Sequence, residues 1–180
     1  MKLMIASDLH GSDYWCARML EAFETEQPER LMFLGDILYH GPRNDLPREY
    51  APKQVIAKLT PLKDRILCVR GNCEVDQMVL PFPVLADYGF LLLGGRAVYL
   101  THGHVINKAH PLPFAKGDIL LHGHTHVPAC EDCGDFTYLN PGSVSIPKEN
   151  SPHSYMIYED GVFSWKNLET GETYRTFSIS

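Results

Sequence analysis

Five times in this chain a short apolar run ends in a polar cluster beside glycine, and this recurrence constrains the fold more than any other feature. Leu3–Ala6 is followed by Asp8, His10 and Gly11, Leu31–Leu34 by Gly35-Asp36, and Ile66–Val69 by Arg70-Gly71-Asn72-Cys73. Ala97–Leu100 leads into Thr101-His102-Gly103-His104, and Ile119–Leu121 into His122-Gly123-His124-Thr125-His126. Such runs read as buried strands. Glycine permits the sharp turns and close backbone approach of a crowded site. Because ligands of open α/β sheets bind in the crevice beyond the carboxyl ends of the strands, the five clusters are placed to converge.

Between the first runs the periodicity becomes helical. Ser12 is positioned to cap a helix with Trp15, Met19 and Phe23 on one face, so the first two runs form a β-α-β unit. Pro52 suits a first helical turn, and Val55, Ile56 and Leu59 make an apolar stripe before the third run. From Phe90 onward strands dominate: Leu91–Leu93, Ala97–Leu100, Ile119–Leu121, Phe136–Leu139, Tyr155–Tyr158 and Val162–Trp165. Gly94-Gly95 and Asp160-Gly161 are hairpin turn signals between paired runs. The pattern predicts an α/β protein with one mixed sheet or two stacked sheets and helices outside.

With 180 residues, 44% of them hydrophobic, the chain predicts one domain over residues 1–180. No apolar run exceeds four residues, so neither a membrane span nor an export signal is expected. A net charge of -6 with scattered Lys and Arg disfavours nucleic-acid polymers and leaves a small phosphate ester open as partner. The five cysteines are odd in number and dispersed, which fits free thiols in the reducing cytoplasm. Cys130 and Cys133 form a C-x-x-C read as turn cysteines rather than as half of a zinc knuckle.

The polar clusters supply Asp8, His10, Asp36, Asn72, His102, His124 and His126. Carboxylate, imidazole and amide without convergent thiolates suit divalent Mn, Fe or Zn. Seven side chains are too many for one ion, whereas two ions sharing a bridging carboxylate account for all of them. Residues 8 and 10, and 124 and 126, are two apart, so in an extended segment each pair points the same way. Two divalent ions with Asp8, Asp36 and a bridging hydroxide leave a net positive site that attracts an anion. Ions about 3.5–4 Å apart generate a hydroxide nucleophile and clamp the oxygens of an in-line displacement.

The series Asp8-x-His10, Gly35-Asp36, Gly71-Asn72, His102-Gly-His104 and Gly123-His124-x-His126 resembles the calcineurin-like metallophosphoesterase superfamily. His40-Gly41-Pro42-Arg43-Asn44, Cys73 after Asn72, and the stretch from Asn140 to Pro147 make the chain similar to the bacterial YfcE-type phosphodiesterases. The resemblance implies two stacked mixed β-sheets flanked by helices, a four-layer αββα sandwich. It implies two divalent ions per chain with Mn²⁺ as the usual one, Zn²⁺, Fe²⁺ and Ni²⁺ being the alternatives. By motif position one ion is held by Asp8, His10, Asp36 and His126, the other by Asp36, Asn72, His102 and His124, so that Asp36 bridges.

Cys73 stands where many relatives carry a histidine that assists the leaving group, and is either a thiol proton donor or a small packing residue. His40 and His104 are the other expected proton donors, and Arg43 and Asn44 the residues expected to hydrogen-bond a phosphate oxygen. The implied activity is hydrolysis of small phosphate diesters. A phosphomonoesterase with the same centre and a non-catalytic protein-binding scaffold of the same fold are the alternatives. The scaffold goes with an altered first motif, whereas this chain keeps His10. The strand-rich C-terminal segment offers edges for pairing between copies, a homo-oligomer.

Overall fold

The computed structural model describes residues 1–74 and 79–179, with only the backbone of Leu85. In chain order the elements are β1 (Leu3–Ala6), α1 (Asp13–Glu26), β2 (Arg30–Phe33), α2 (Pro52–Leu59), a 3-10 helix (Thr60–Arg65), β3 (Ile66–Val69) and β4 (Val84–Ala86). They continue with β5 (Tyr88–Leu93), β6 (Arg96–Thr101), β7 (Asp118–His122), β8 (Ala129–Asp132), β9 (Phe136–Asn140), β10 (Ser154–Glu159), β11 (Val162–Asn167) and β12 (Thr173–Ser178). Two mixed sheets result, one in the order β12-β11-β10-β1-β2-β3-β4 and one in the order β5-β6-β7-β9-β8. β1 to β4 run parallel, with helical crossovers joining β1 to β2 and β2 to β3, and β6, β7 and β9 run parallel in the second sheet.

Strand alternation assigns each side chain to a layer. Met4 and Ala6 face the helices, packing with Trp15, Met19 and Phe23 of α1 and Val55 and Leu59 of α2. Leu3 and Ile5 point the other way, into the apolar layer between the sheets with Val98, Ile119, Leu121 and Trp165. The outer face of the second sheet carries Leu120, Phe136 and Tyr138, covered by Ile106 and Phe114. Those two belong to residues 102–117, a segment without helix.

Local chemistry fixes the helix ends and hairpins as expected. The Ser12 hydroxyl accepts the Trp15 amide at 3.2 Å, capping α1. Leu93 pairs with Arg96 across Gly94 and Gly95 at φ +56° and +80°, and Glu159 with Val162 across Asp160 and Gly161 at +48° and +82°. Both are two-residue turns with two left-handed positions, which match the strand twist.

Three strands have no counterpart among the expected ones: β4, β8 and β12. All three are sheet edges. An edge strand is held by one ladder and is half solvated, so it needs no apolar run. Cys130, expected in a turn, stands within β8 opposite Leu139. All five cysteines are free. Among the described residues no helix is long and apolar enough to cross a membrane.

Candidate metal centre

The carboxyl ends of β1, β2, β3, β6 and β7 open onto one place, and all seven expected metal-binding side chains meet there. The His126 Nε2 lies 3.2 Å and the His10 Nε2 3.5 Å from the Asp8 Oδ1. The Asp36 Oδ2 lies 3.2 Å from the His102 Nε2 and 3.7 Å from the His10 Nε2. Asn72 brings its Oδ1 to 3.0 Å from the His102 Nε2, and His124 its Nδ1 to 3.2 Å from the same atom. Asp8, Asp36, His10, His102 and His126 are all buried.

The expected extended geometry at the paired positions is not what aims these groups. Asp8, His10, Asp36, His124 and His126 have φ of +58°, +50°, +58°, +65° and +62°. The left-handed backbone turns sharply at each ligand position, so turns and not the pleat direct the side chains. Such conformations cost non-glycine residues on the order of 1–3 kcal/mol each and persist only where surrounding contacts over-determine them.

The histidine tautomers follow from those contacts. The Nδ1 atoms of His10, His102 and His126 face the carbonyls of Tyr39, Leu34 and Ile146 at 2.7, 2.6 and 2.6 Å. In the neutral form of each ring, a proton on Nδ1 leaves Nε2 with an inward lone pair. The Nε2 atoms of His10 and His126 then oppose one another at 3.2 Å, and the buried Asp8 Oδ1 accepts no hydrogen bond. Two opposed ring nitrogens beside an unsatisfied carboxylate oxygen fit a cation. Asp8, His10 and His126 offer ligand atoms within 4.8 Å of one another, and Asp8, Asp36 and His102 do likewise.

Burial opposes charge throughout, and the partners decide the outcome. Despite burial, the imidazoles of His126 and His10 hold the Asp8 carboxyl well below the usual carboxylate range, and His102 lowers Asp36. Burial works against protonated His102 as well, but Asp36 and Asp8 lift it to about 9. Burial, reinforced by His102, drops His124 to about 4.

The clamp around these ligands includes residues with no expected role. The half-buried Glu74 carboxylate accepts the amides of Asp36 at 3.0 Å and Ile37 at 2.6 Å, and also that of Gly71, tying the β2 and β3 loops together. An acid two residues beyond Asn72 was the available signal. The Asn140 amide nitrogen lies 2.8 Å from the Gly123 carbonyl and 3.0 Å from the Thr125 hydroxyl, on either side of His124. Ser143 and Ser145 donate to the Asp8 carbonyl at 2.8 and 3.0 Å. The stretch from Asn140 to Ile146 thus fixes the loops of Asp8, His124 and His126. A Cβ on Gly123 would stand 1.9 Å from the Ser7 Oγ, and one on Gly71 would stand 2.1 Å from the Asp36 Oδ1, so both positions need glycine.

A cleft of about 490 Å³ opens over the cluster, walled by Arg43, Asn44, Asn72, Cys73, His126 and Lys148. Lys148 was not foreseen, although it directly follows the stretch from Asn140 to Pro147. Asn44 donates to the His40 carbonyl at 2.7 Å, which shapes its own loop. Burial and the neighbouring Asp36 push the Cys73 thiol up to about 12, so it keeps its proton, and it receives a hydrogen bond from the Asn72 amide at 3.2 Å. The His40 ring packs edge-on against Tyr39 and Tyr50 with its Nδ1 buried and unpartnered, and it does not line this cleft. His104 is exposed, its ring 5.5 Å from that of His102 and 6.2 Å from that of His124.

The sequence pattern of the calcineurin-like phosphoesterase superfamily domain matches residues 1–160. The chain belongs to this superfamily. As a calcineurin-like phosphoesterase it is a hydrolase of phosphoric esters, in a family that uses divalent metals. This family member is 45% identical over 166 residues to Phosphodiesterase YfcE of Escherichia coli K12, across 91% of this chain and 90% of that protein. The solved structure of the E. coli phosphoesterase YfcE superposes with a TM-score of 0.95 at 42% identity over the whole of both chains. Vps29 of Entamoeba histolytica in complex with Zn²⁺ superposes at a TM-score of 0.61 and 19% identity, also over both whole chains, and shares the calcineurin-like phosphoesterase fold.

Proposed function

We propose that this chain is a metal-dependent phosphodiesterase of small phosphate diesters, holding two divalent ions, with Mn²⁺ as the native pair. One observation carries this reading: seven oxygen- and nitrogen-bearing side chains converge, with the Nε2 atoms of His10 and His126 opposed at 3.2 Å and the buried Asp8 Oδ1 accepting no hydrogen bond. Asp8, His10, Asp36 and His126 would hold one ion, and Asp36, Asn72, His102 and His124 the other. When bound, such ions acidify an attacking water and neutralise the charge of the phosphate in the displacement. The likeness to YfcE, a named phosphodiesterase, supports a diester over a monoester.

The residues of the chain then divide the remaining work. Arg43 presents a planar fork of donors to a phosphate oxygen, and Lys148 a point charge, from the walls of the same cleft. Cys73 lines the cleft with a thiol that holds its proton tightly, a weak donor to the leaving group. Neither His40 nor His104 lines that cleft, so a leaving group held there meets neither imidazole as a proton donor. The preferred diesters therefore carry leaving groups that need little protonation.

The same reading makes residues 1–180 one domain, supported by the single apolar layer shared by both sheets. It places the protein in the cytoplasm on its five free thiols and lets copies pair along β12, an outer edge of the larger sheet. The test is p-nitrophenol release from bis(p-nitrophenyl) phosphate by chelator-stripped protein before and after Mn²⁺ is restored. Release that returns with Mn²⁺ is expected. No release despite two bound ions per chain would leave the monoesterase or the scaffold.

A further inference from the structure

A second cleft, of about 680 Å³, adjoins the first across His124, the residue that lines both. A phosphodiester carries two organic arms on one phosphorus. With the phosphate over the cluster, one arm lies in the cleft of Arg43 and Lys148, and the other can cross His124 into the larger cleft. Resting on the phosphodiesterase reading above, we infer that this larger cleft binds the arm retained on phosphorus, and that it selects an uncharged, partly apolar alcohol of nucleoside size.

The chemistry of the walls sets that class. Val127, Ala129 and the buried Tyr138 ring provide apolar wall, and the exposed His104 imidazole provides a flat face at the entrance from the cluster. The charged residues cancel: Lys108 is paired with Glu131 at 2.7 Å, and Arg175 is offset by Glu149 on the same lining. A polyanionic arm finds no net charge to meet it, whereas a ring bearing hydroxyls finds apolar wall, donors and acceptors together. The volume falls within the roughly 300–1,000 Å³ of small-molecule sites. The His122 ring stacks on Tyr138 with centroids 4.3 Å apart and stiffens the wall beneath His124.

The experiment compares two esters with the same leaving group and different retained arms, thymidine 5′-(p-nitrophenyl phosphate) and methyl p-nitrophenyl phosphate, using Mn²⁺-loaded protein. The wild type is expected to favour the thymidine ester in kcat/KM by about tenfold or more. Ala109→Trp, at an exposed position on the cleft, fills the space and brings that ratio close to one, and Arg175→Trp, from the opposite strand β12, does the same by an independent route. A wild-type ratio near one, or a high ratio that survives both substitutions, overturns the inference. A wild type that hydrolyses neither ester removes the phosphodiesterase reading itself, and the inference with it.

Discussion

The Nε2 atoms of His10 and His126 face each other across 3.2 Å while the opposite nitrogen of each ring rests on a backbone carbonyl, of Tyr39 and of Ile146. Two lone pairs held at that separation by fixed tautomers describe a site preorganised for a cation. The carbonyls come from segments far apart in the chain, so the folded scaffold, and not the local sequence, sets the direction of each ring.

Asp36 stands between the two halves of the cluster, with its Oδ2 near both His10 and His102 and its Oδ1 accepting the Cys73 amide at 2.8 Å. Asp36→Asn is expected to lose both ions and to lower hydrolysis by about 100-fold or more. Metal content per folded chain, by atomic absorption, checks this; a variant that retains two ions refutes the bridging assignment.

Glu74 accepts three amides from two loops, and a glutamine there must present a donor to at least one of them. Glu74→Gln is expected to cost about 1–3 kcal/mol of stability and to weaken metal binding. Denaturant melts and calorimetric Mn²⁺ titration measure the two effects. Unchanged metal affinity would mean that the β2 and β3 loops hold their shape without it.

Asn140→Ala frees the Gly123 carbonyl and the Thr125 hydroxyl beside His124 while leaving every ligand in place. A fall in metal affinity of roughly 10- to 100-fold is expected, as for other residues that orient ligands. Titration calorimetry at matched folded fraction separates this from a loss of stability alone, which would leave the affinity of the folded protein intact.

His122 titrates far below its ordinary value, driven to about 4 by burial against the opposing pull of the Gly123 carbonyl. Its neutral form is the one the fold accepts, so the unfolded chain binds the proton first. The contribution of His122 to the stability of the metal-free protein is therefore expected to be full above pH 6.5 and to be lost as pH drops from there towards 4. The contribution is up to about 3 kcal/mol. Urea melts across that range should show a smaller fall in His122→Phe; an identical fall would assign the acid sensitivity to other groups.

Much of this architecture is legible in the residues themselves. β3 begins and ends where its apolar run does, Ser12 caps the helix it precedes, and the Gly94-Gly95 and Asp160-Gly161 turns sit between the strands they join. These are local properties of propensity, capping and turn chemistry. The strands that escape notice, β4, β8 and β12, lie at sheet edges, where pairing to a single neighbour suffices and no long apolar run marks the strand.

The sequence by itself marked the seven side chains that the fold brings together, because each follows an apolar run that ends in a polar cluster. Tertiary structure decided how they act. The left-handed backbone at Asp8, His10, Asp36, His124 and His126, the tautomers of three imidazoles, and the supporting roles of Glu74, Asn140, Ser143 and Ser145 all depend on partners from distant segments. A strained turn is stable only when such partners outweigh its cost, and their positions exist only once the two sheets have packed.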